Sequence, residues 1–257
     1  MGAVMQVGLG GKVIIITGAA SGIGAAIARA ACQSGADCLL LTDRDGPGLQ
    51  AIATELAMPS VQADLMETAA PQAIATAAIH QFGRIDGLVN AAGLTSRAAV
   101  TTGTIALWDS LFAVNARAPF FLMQAAIADM LRRKSPGAIV NIQSVNAHCG
   151  LPELAIYAAS KGALSTLTKN AAHAHMADLI RVNGINLGWV ATETEDRLQR
   201  LANGPDWLAK ASASMPLGRL VDAAEAARLA VYLLADTSAP LSGVVIDLEQ
   251  KVTGAPG

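Results

Sequence analysis

A short β-branched run, Val13-Ile14-Ile15-Ile16, leads directly into Thr17-Gly18-Ala19-Ala20-Ser21-Gly22-Ile23-Gly24, and Gly24-Ala25-Ala26-Ile27-Ala28-Arg29-Ala30 follows. No other stretch of the chain limits the fold as strongly. A continuous apolar run is what a strand buried on both faces requires. Glycines then allow a tight turn and bring backbone close to a ligand, and the helix that follows turns its first N–H groups toward a phosphate. Strand, glycine turn and helix in this order point to a dinucleotide.

The same rhythm continues. Predicted strands cover Val13–Thr17, Cys38–Asp43, Ser60–Asp64, Gly87–Asn90, Ala138–Ser144, Ile180–Leu187 and Gly243–Asp247, and helices follow Gly22, Gly46, Thr68, Thr104, Tyr157 and Asp222. Alternating strands and helices imply a parallel sheet covered on both faces. Right-handed crossovers make it a doubly wound, Rossmann-type α/β fold of seven strands. The 257 residues suit one such domain spanning 1–257. The stretch 189–220 breaks the rhythm and reads as a helical flap before the last strand, where lids govern substrate choice. Residues 248–257 form a polar tail.

Composition narrows the function. Hydrophobic residues make up 53% and charged residues 15%, with a net charge of −2, so neither nucleic acid nor a membrane surface is expected as a partner. No uninterrupted apolar run reaches the ~18 residues of a spanning helix. Met1-Gly2-Ala3-Val4-Met5-Gln6 lacks a secretory pattern, and the expected location is cytoplasmic. Cys32, Cys38 and Cys149, like the four histidines, show no metal-ligand spacing, and Cys32 and Cys38 are expected as buried free thiols.

Tyr157 and Lys161 lie four residues apart on a predicted helix and so share a face. At about 5 Å and an effective dielectric near 20, ammonium and phenolate attract by roughly 3 kcal/mol. That would draw the phenol well below its usual pKa near 10 and suit it to exchange a proton with an alcohol or carbonyl. Ser144 stands thirteen residues before the tyrosine.

Together these features resemble the short-chain dehydrogenase/reductase family, from Gly11 to about Asp247. The family's TGxxxGxG turn appears as Thr17, Gly18, Gly22 and Gly24, and its Asn-Asn-Ala-Gly as Asn90-Ala91-Ala92-Gly93, with the second asparagine replaced. The resemblance implies catalysis by Asn115, Ser144, Tyr157 and Lys161, with Asn115 anchoring a water relay from Lys161 to solvent. Ser144 would steady charge on the substrate oxygen. The implied cofactor contacts begin with Gly18, Ser21, Gly22, Ile23 and Gly24 in the turn. Asp43 and Arg44 would meet the adenosine ribose, Asp64 and Leu65 the adenine, and Asn90, Ala91 and Gly93 the middle of the molecule. Tyr157, Lys161, Gly188, Val190 and Thr192 would complete the nicotinamide end.

Asp43 ends the second predicted strand, where a carboxylate binds ribose hydroxyls and repels a 2′-phosphate. The expected cofactor is therefore NAD. Asn146, His148, Glu153 and Trp189 are the candidate substrate contacts, and their polarity suits a small polyol, sugar or hydroxy acid. The expected reaction is NAD-dependent interconversion of a secondary alcohol and a ketone, or of a sugar and its lactone. A 3-oxoacyl-thioester reductase and a non-catalytic NAD-binding sensor or scaffold are the competing readings. The resemblance further implies a homotetramer of 222 symmetry. Leu111, Phe112, Phe120, Phe121, Leu164, Leu167 and Ala171 would supply its apolar surface, and Glu249, Gln250 or Lys251 would approach a neighbouring subunit.

Overall fold

The computed structural model describes residues 7–252. The N-terminal hexapeptide and the last five tail residues lie outside the described residues. In chain order the elements are β1 (Val13–Thr17), α1 (Gly22–Gln33), β2 (Cys38–Asp43), α2 (Gly46–Leu56), β3 (Ser60–Gln62), α3 (Ala70–Phe82), β4 (Gly87–Asn90) and α4 (Ile105–Phe112). A π-helical turn at Ala113–Arg117 joins α4 to α5 (Ala118–Arg133). Then come β5 (Gly137–Ser144), α6 (Ala155–His175), β6 (Ile180–Leu187), β7 (Val190–Ala191), α7 (Glu193–Asn203), α8 (Trp207–Ala213), β8 (Val221–Asp222), α9 (Ala223–Leu234) and β9 (Val245–Leu248).

Seven strands form one sheet in the order β3-β2-β1-β4-β5-β6-β9, every neighbouring pair parallel. Strand pleating explains the apolar run that opens the chain. Ile14 and Ile16 pack on one face with Leu39, Leu41, α1 and α9, while Ile15 packs on the other with Leu40, Leu88, α3 and α5. Both faces are covered, so alternate residues have equally apolar destinations. The order reverses at β1, which lies between β2 and β4. A crevice opens at the carboxyl ends of these strands.

The strand ends differ from expectation by local turn chemistry. β3 stops at Gln62 because the Asp64 carboxylate accepts the Met66 N–H at 2.8 Å, closing a turn. β9 starts at Val245, after Gly243 adopts φ +77°. Two further strands were not anticipated: β7 and β8 pair with each other and close the base of the flap. The run Ile105–Arg133 is long and apolar enough to cross a bilayer, but 61% of its most apolar window is buried inside the fold, as a core helix requires. Cys32 and Cys38 are half-buried rather than buried, and all three thiols are free.

The first tail residues pack on their own flap. The Gln250 side chain accepts the Leu217 N–H at 2.9 Å and donates to the Arg219 carbonyl at 2.6 Å. The Glu249 carboxylate lies against Gly188. Both partners belong to the same chain: two backbone groups left open beyond the flap helices satisfy the amide.

Candidate active site

The glycine turn is built by exclusion. Gly18 has φ +70°, and a Cβ there would stand 2.8 Å from the Ala92 backbone. A Cβ on Gly24 would collide with the Gly18 carbonyl. The turn is bolted to the end of β4 by Thr17, whose Oγ1 accepts the N–H groups of Ala91 and Ala92, each at 3.1 Å. Ser21 caps α1 with no side-chain hydrogen bond, which leaves the first-turn N–H groups of Gly22, Ile23 and Gly24 available to an anion.

Asp43, at the end of β2, braces the same turn. Its Oδ2 accepts Ala20 N–H at 3.1 Å and its Oδ1 accepts Asp45 N–H at 3.0 Å. Arg44 is exposed beside it, and Asp64 and Leu65 follow the end of β3, Asp64 exposed and Leu65 buried. Opposite, Val190 is buried in β7, and Thr192 caps α7 with its methyl carbon 3.5 Å from where a Gly22 side chain would begin. Gly188 and Trp189 connect β6 to this segment. Asp43, the glycine turn and Gly188 therefore all follow the carboxyl ends of strands of the one sheet. The open first-turn amides, the glycine-lined floor and the ribose-facing carboxylate fit a nicotinamide dinucleotide.

The reactive groups meet between the end of β5 and α6. Tyr157 and Lys161 share one face of α6 and are 8% and 4% exposed. Lys161 Nζ lies 5.9 Å from the tyrosine ring centre and donates to the Ile142 carbonyl at 3.0 Å. Ser144, at the end of β5, stands near enough to the tyrosine hydroxyl to favour its phenolate. Asn115 sits in the π-helical turn, and its side chain is fully committed. Its Oδ1 accepts Leu94 N–H at 2.9 Å, and its Nδ2 donates to the Leu94 carbonyl at 2.9 Å and to Ser160 Oγ at 3.0 Å. These bonds hold the Gly93–Leu94 corner so close to Lys161 that a Cβ on Gly93 would be 3.4 Å from Nζ. Asn90 lies beneath, donating to Asn141 at 2.8 Å.

The expected depression of the tyrosine pKa is reversed. Burial pushes the phenol above its ordinary value, Ser144 opposes this, and the negative charge of Glu195 adds to the rise. Burial also pulls Lys161 down to about 8. Coulomb attraction across a solvated helix face omits this cost. Both groups are removed from water, so each loses more as an ion than the pair regains.

The four candidate substrate residues are engaged with the protein. Asn146 places its backbone N–H and its Nδ2 on Ser144 Oγ at 3.2 and 3.1 Å. An oxygen that accepts twice has its own proton left to donate, so Asn146 orients Ser144. His148 Nε2 lies 3.0 Å from the Asp247 carboxylate and ties the loop after β5 to β9. Glu153 pairs with Arg97 at 2.9 Å, linking two loops at the surface. Trp189 donates to Glu195 at 2.8 Å and packs on Trp207, with ring centres 5.9 Å apart, as part of the flap's own small core. Each of the four thus has a partner within the chain. The residue overlooked there is Glu195. A Thr-x-x-Glu pattern after the Gly188 turn was the available signal, since it marks a helix start and sets the glutamate beside its cap.

Residues 18–249 match the family model described as enoyl-(acyl carrier protein) reductase. The chain is 37% identical to D-threitol dehydrogenase of Mycolicibacterium smegmatis over 93% of its length and 92% of the relative's. It is 32% identical to gluconate 5-dehydrogenase of Gluconobacter oxydans over 95% and 96%. The crystal structure of 3-ketoacyl-(acyl-carrier-protein) reductase from Brucella melitensis, complexed with NADH, superposes with a TM-score of 0.83 at 29% identity, over 93% of this chain and 97% of that one. The chain belongs to the short-chain dehydrogenase/reductase family. It is an oxidoreductase of CH–OH groups that uses a nicotinamide cofactor and a small-molecule substrate.

Proposed function

We propose that the protein is an NAD-dependent dehydrogenase of a small polar polyol, sugar or hydroxy acid, interconverting a secondary alcohol and a ketone or a sugar and its lactone. The observation that carries this reading is the convergence of Ser144, Tyr157 and Lys161 in a fold whose glycine turn is braced by Asp43. When bound, the nicotinamide exchanges a hydride with the substrate carbon. During oxidation Tyr157 Oη takes the hydroxyl proton, and during reduction it returns that proton to the carbonyl oxygen. Ser144 donates its remaining proton to the same oxygen and steadies the charge that develops there. Lys161, cationic below about pH 8, would favour the phenolate and would hold the ribose. Asn115 holds the corner through which water would reach Lys161. A screen for NADH formation across polyols, sugars and hydroxy acids tests the reading; no turnover of any of them would overturn it.

Asp43 selects NAD. A 2′-phosphate would stand against a carboxylate already held in place by Ala20 and Asp45. NAD should bind at least about tenfold more tightly than NADP, or about 1.4 kcal/mol. Asp43→Asn keeps an oxygen for the Ala20 N–H and removes the charge, and should narrow that gap. Equal affinities in the unaltered protein would refute the assignment.

Self-association as a homotetramer belongs to the same proposal, through fewer residues than expected. Leu111 and Leu164 are buried, and Leu167 and Ala171 pack against the core between the sheet and α3 and α5. Phe120 and Phe121 remain exposed, edge-to-face at 5.1 Å, and Ile105 and Trp108 are exposed on the adjoining helix. Sedimentation should show a species near four chain masses, and Phe120→Asp with Phe121→Ser should dissociate it. A 26.2 kDa species alone at micromolar concentration would refute the assembly.

A further inference from the structure

The turn that follows the catalytic serine closes on itself. Ser144 ends β5, and Val145–Ala147 form one turn of 3-10 helix behind it. Asn146 donates twice to Ser144 Oγ, and its own Oδ1 accepts the Leu151 N–H at 3.3 Å. The His148 N–H goes to the Val145 carbonyl at 3.1 Å. All of these bonds begin and end between residues 144 and 151. The segment is therefore one small body with Ser144 at its edge. α6 meets it with small residues: a Cβ on Gly162 would stand 3.5 Å from the Ala147 carbonyl, and Gly150 lies against Ala158. Such contact excludes water but sets an angle less sharply than a hydrogen bond does.

One side chain ties this body to the far strands of the sheet. His148 Nε2 lies 3.0 Å from both oxygens of Asp247 on β9, the second strand along from β5. Asn186 of β6, in register with Asp247, donates to the same carboxylate at 2.8 Å. Facing a carboxylate, Nε2 carries a proton and donates it, whether or not the ring is charged. Among the described residues, His148 is the only side chain of 145–150 that hydrogen-bonds a strand beyond β5. The two side chains are 44% and 33% exposed, so their pairing adds little to stability. What it sets is placement. β9 also receives the Gly188 N–H, at the Leu248 carbonyl and 3.0 Å, so the clasp puts Ser144 and Gly188 on one support.

We propose that His148, clasped to Asp247, is a positioning residue that fixes the direction of Ser144 Oγ through Asn146. Its kinetic consequence rests on the dehydrogenase reading, whereas its hold on Ser144 has a readout that needs no substrate. An oxygen that already accepts twice from Asn146 presents its own proton in one direction, and that direction turns with the segment. A misplacement of about 1 Å costs about 10²-fold in rate. His148 acts at a distance from the reacting atoms, by holding the turn still.

Two measurements test this. The first titrates the phenol by its ultraviolet absorbance, without substrate. The chain has two tyrosines, so in a Tyr232→Phe background only Tyr157 responds. Ser144 favours its phenolate, while Lys161 and Glu195 act on it alike in every variant. His148→Ala should shift the ionisation to higher pH, and His148→Gln, which keeps an N–H at similar reach, should leave it in place. With Ser144→Ala already present, His148→Ala should change nothing. The second measurement uses NAD and the alcohol that yields NADH fastest in the screen above. His148→Ala should lower kcat by about tenfold or more while NADH affinity moves by less than about twofold, and His148→Gln should recover most of the rate. On Ser144→Ala the same change should cost less than about twofold. A His148→Ala loss of equal size with and without Ser144 overturns the proposal, as does an unshifted titration. A rise in KM with kcat unchanged overturns it too, and would make His148 a substrate contact. Failure of every alcohol to yield NADH would overturn the dehydrogenase reading instead, while the titration still decides whether His148 holds Ser144.

Discussion

Tyr157→Phe should lower turnover by at least about 10²-fold, the effect of removing a positioned acid or base. The ring is 8% exposed and packs with Leu111, Leu154 and Ile156. Phenylalanine preserves that packing and deletes only the hydroxyl, so folding and NADH binding should survive. The loss should fall on kcat, because Oη acts on the proton in flight. Ser144 would then face an apolar edge, but its two bonds from Asn146 keep it in place. Retention of more than about a tenth of the activity would show that another group carries the proton. Loss of NADH binding would show instead that the hydroxyl holds the cofactor.

The parts of this site that were readable in advance are those encoded by short-range spacing. A buried strand, a glycine turn and a helix N-terminus lie within Val13 to Ala30, so their chemistry and their geometry coincide. Tyr157 and Lys161 are adjacent turns of one helix, and their shared face follows from the 3.6-residue period alone. What remained illegible depends on how the folded chain turns each side chain, whether its partner is near or far in sequence. Asn146 serves Ser144 because of a tight turn at the end of β5, and Trp189 is claimed by a flap core that includes Trp207 and Leu220. The Gln250 amide is taken by Leu217 and Arg219, more than thirty residues upstream. No local pattern distinguishes such a side chain from one that waits for substrate.

The sign of the tyrosine perturbation shows the same limit in energetic form. Spacing gives the attraction between two charges, but only burial gives what each lost on leaving water. In Lys161 that loss is large enough to make the residue a liability for stability and an asset for catalysis.

Lys161→Met should therefore act in opposite directions on activity and on folding. The ammonium is 4% exposed, its hydrogen bond goes to a neutral carbonyl, and burial holds its pKa at about 8 instead of 10.5. At pH 7 folded and unfolded chains both carry the proton, and the folded state bears the full desolvation cost, about 3 kcal/mol. Between about pH 8 and 10.5 the unfolded chain binds the extra proton, so this contribution to stability rises with pH. Methionine fills similar space without charge. It forfeits the bond to Ile142, a loss of about 1–2 kcal/mol. The variant should gain about 1–2 kcal/mol at pH 7, which raises the unfolding temperature by about 2–4 °C for each kcal/mol in a chain of this size. The advantage over the unaltered protein should shrink steadily toward pH 10.5. Turnover should meanwhile fall by about 10²-fold or more, since only Ser144 would remain to favour the phenolate. Unfolding at a lower temperature than the unaltered protein at pH 7, or a difference that does not vary with pH, would mean that Lys161 is held in the fold by interactions stronger than its desolvation.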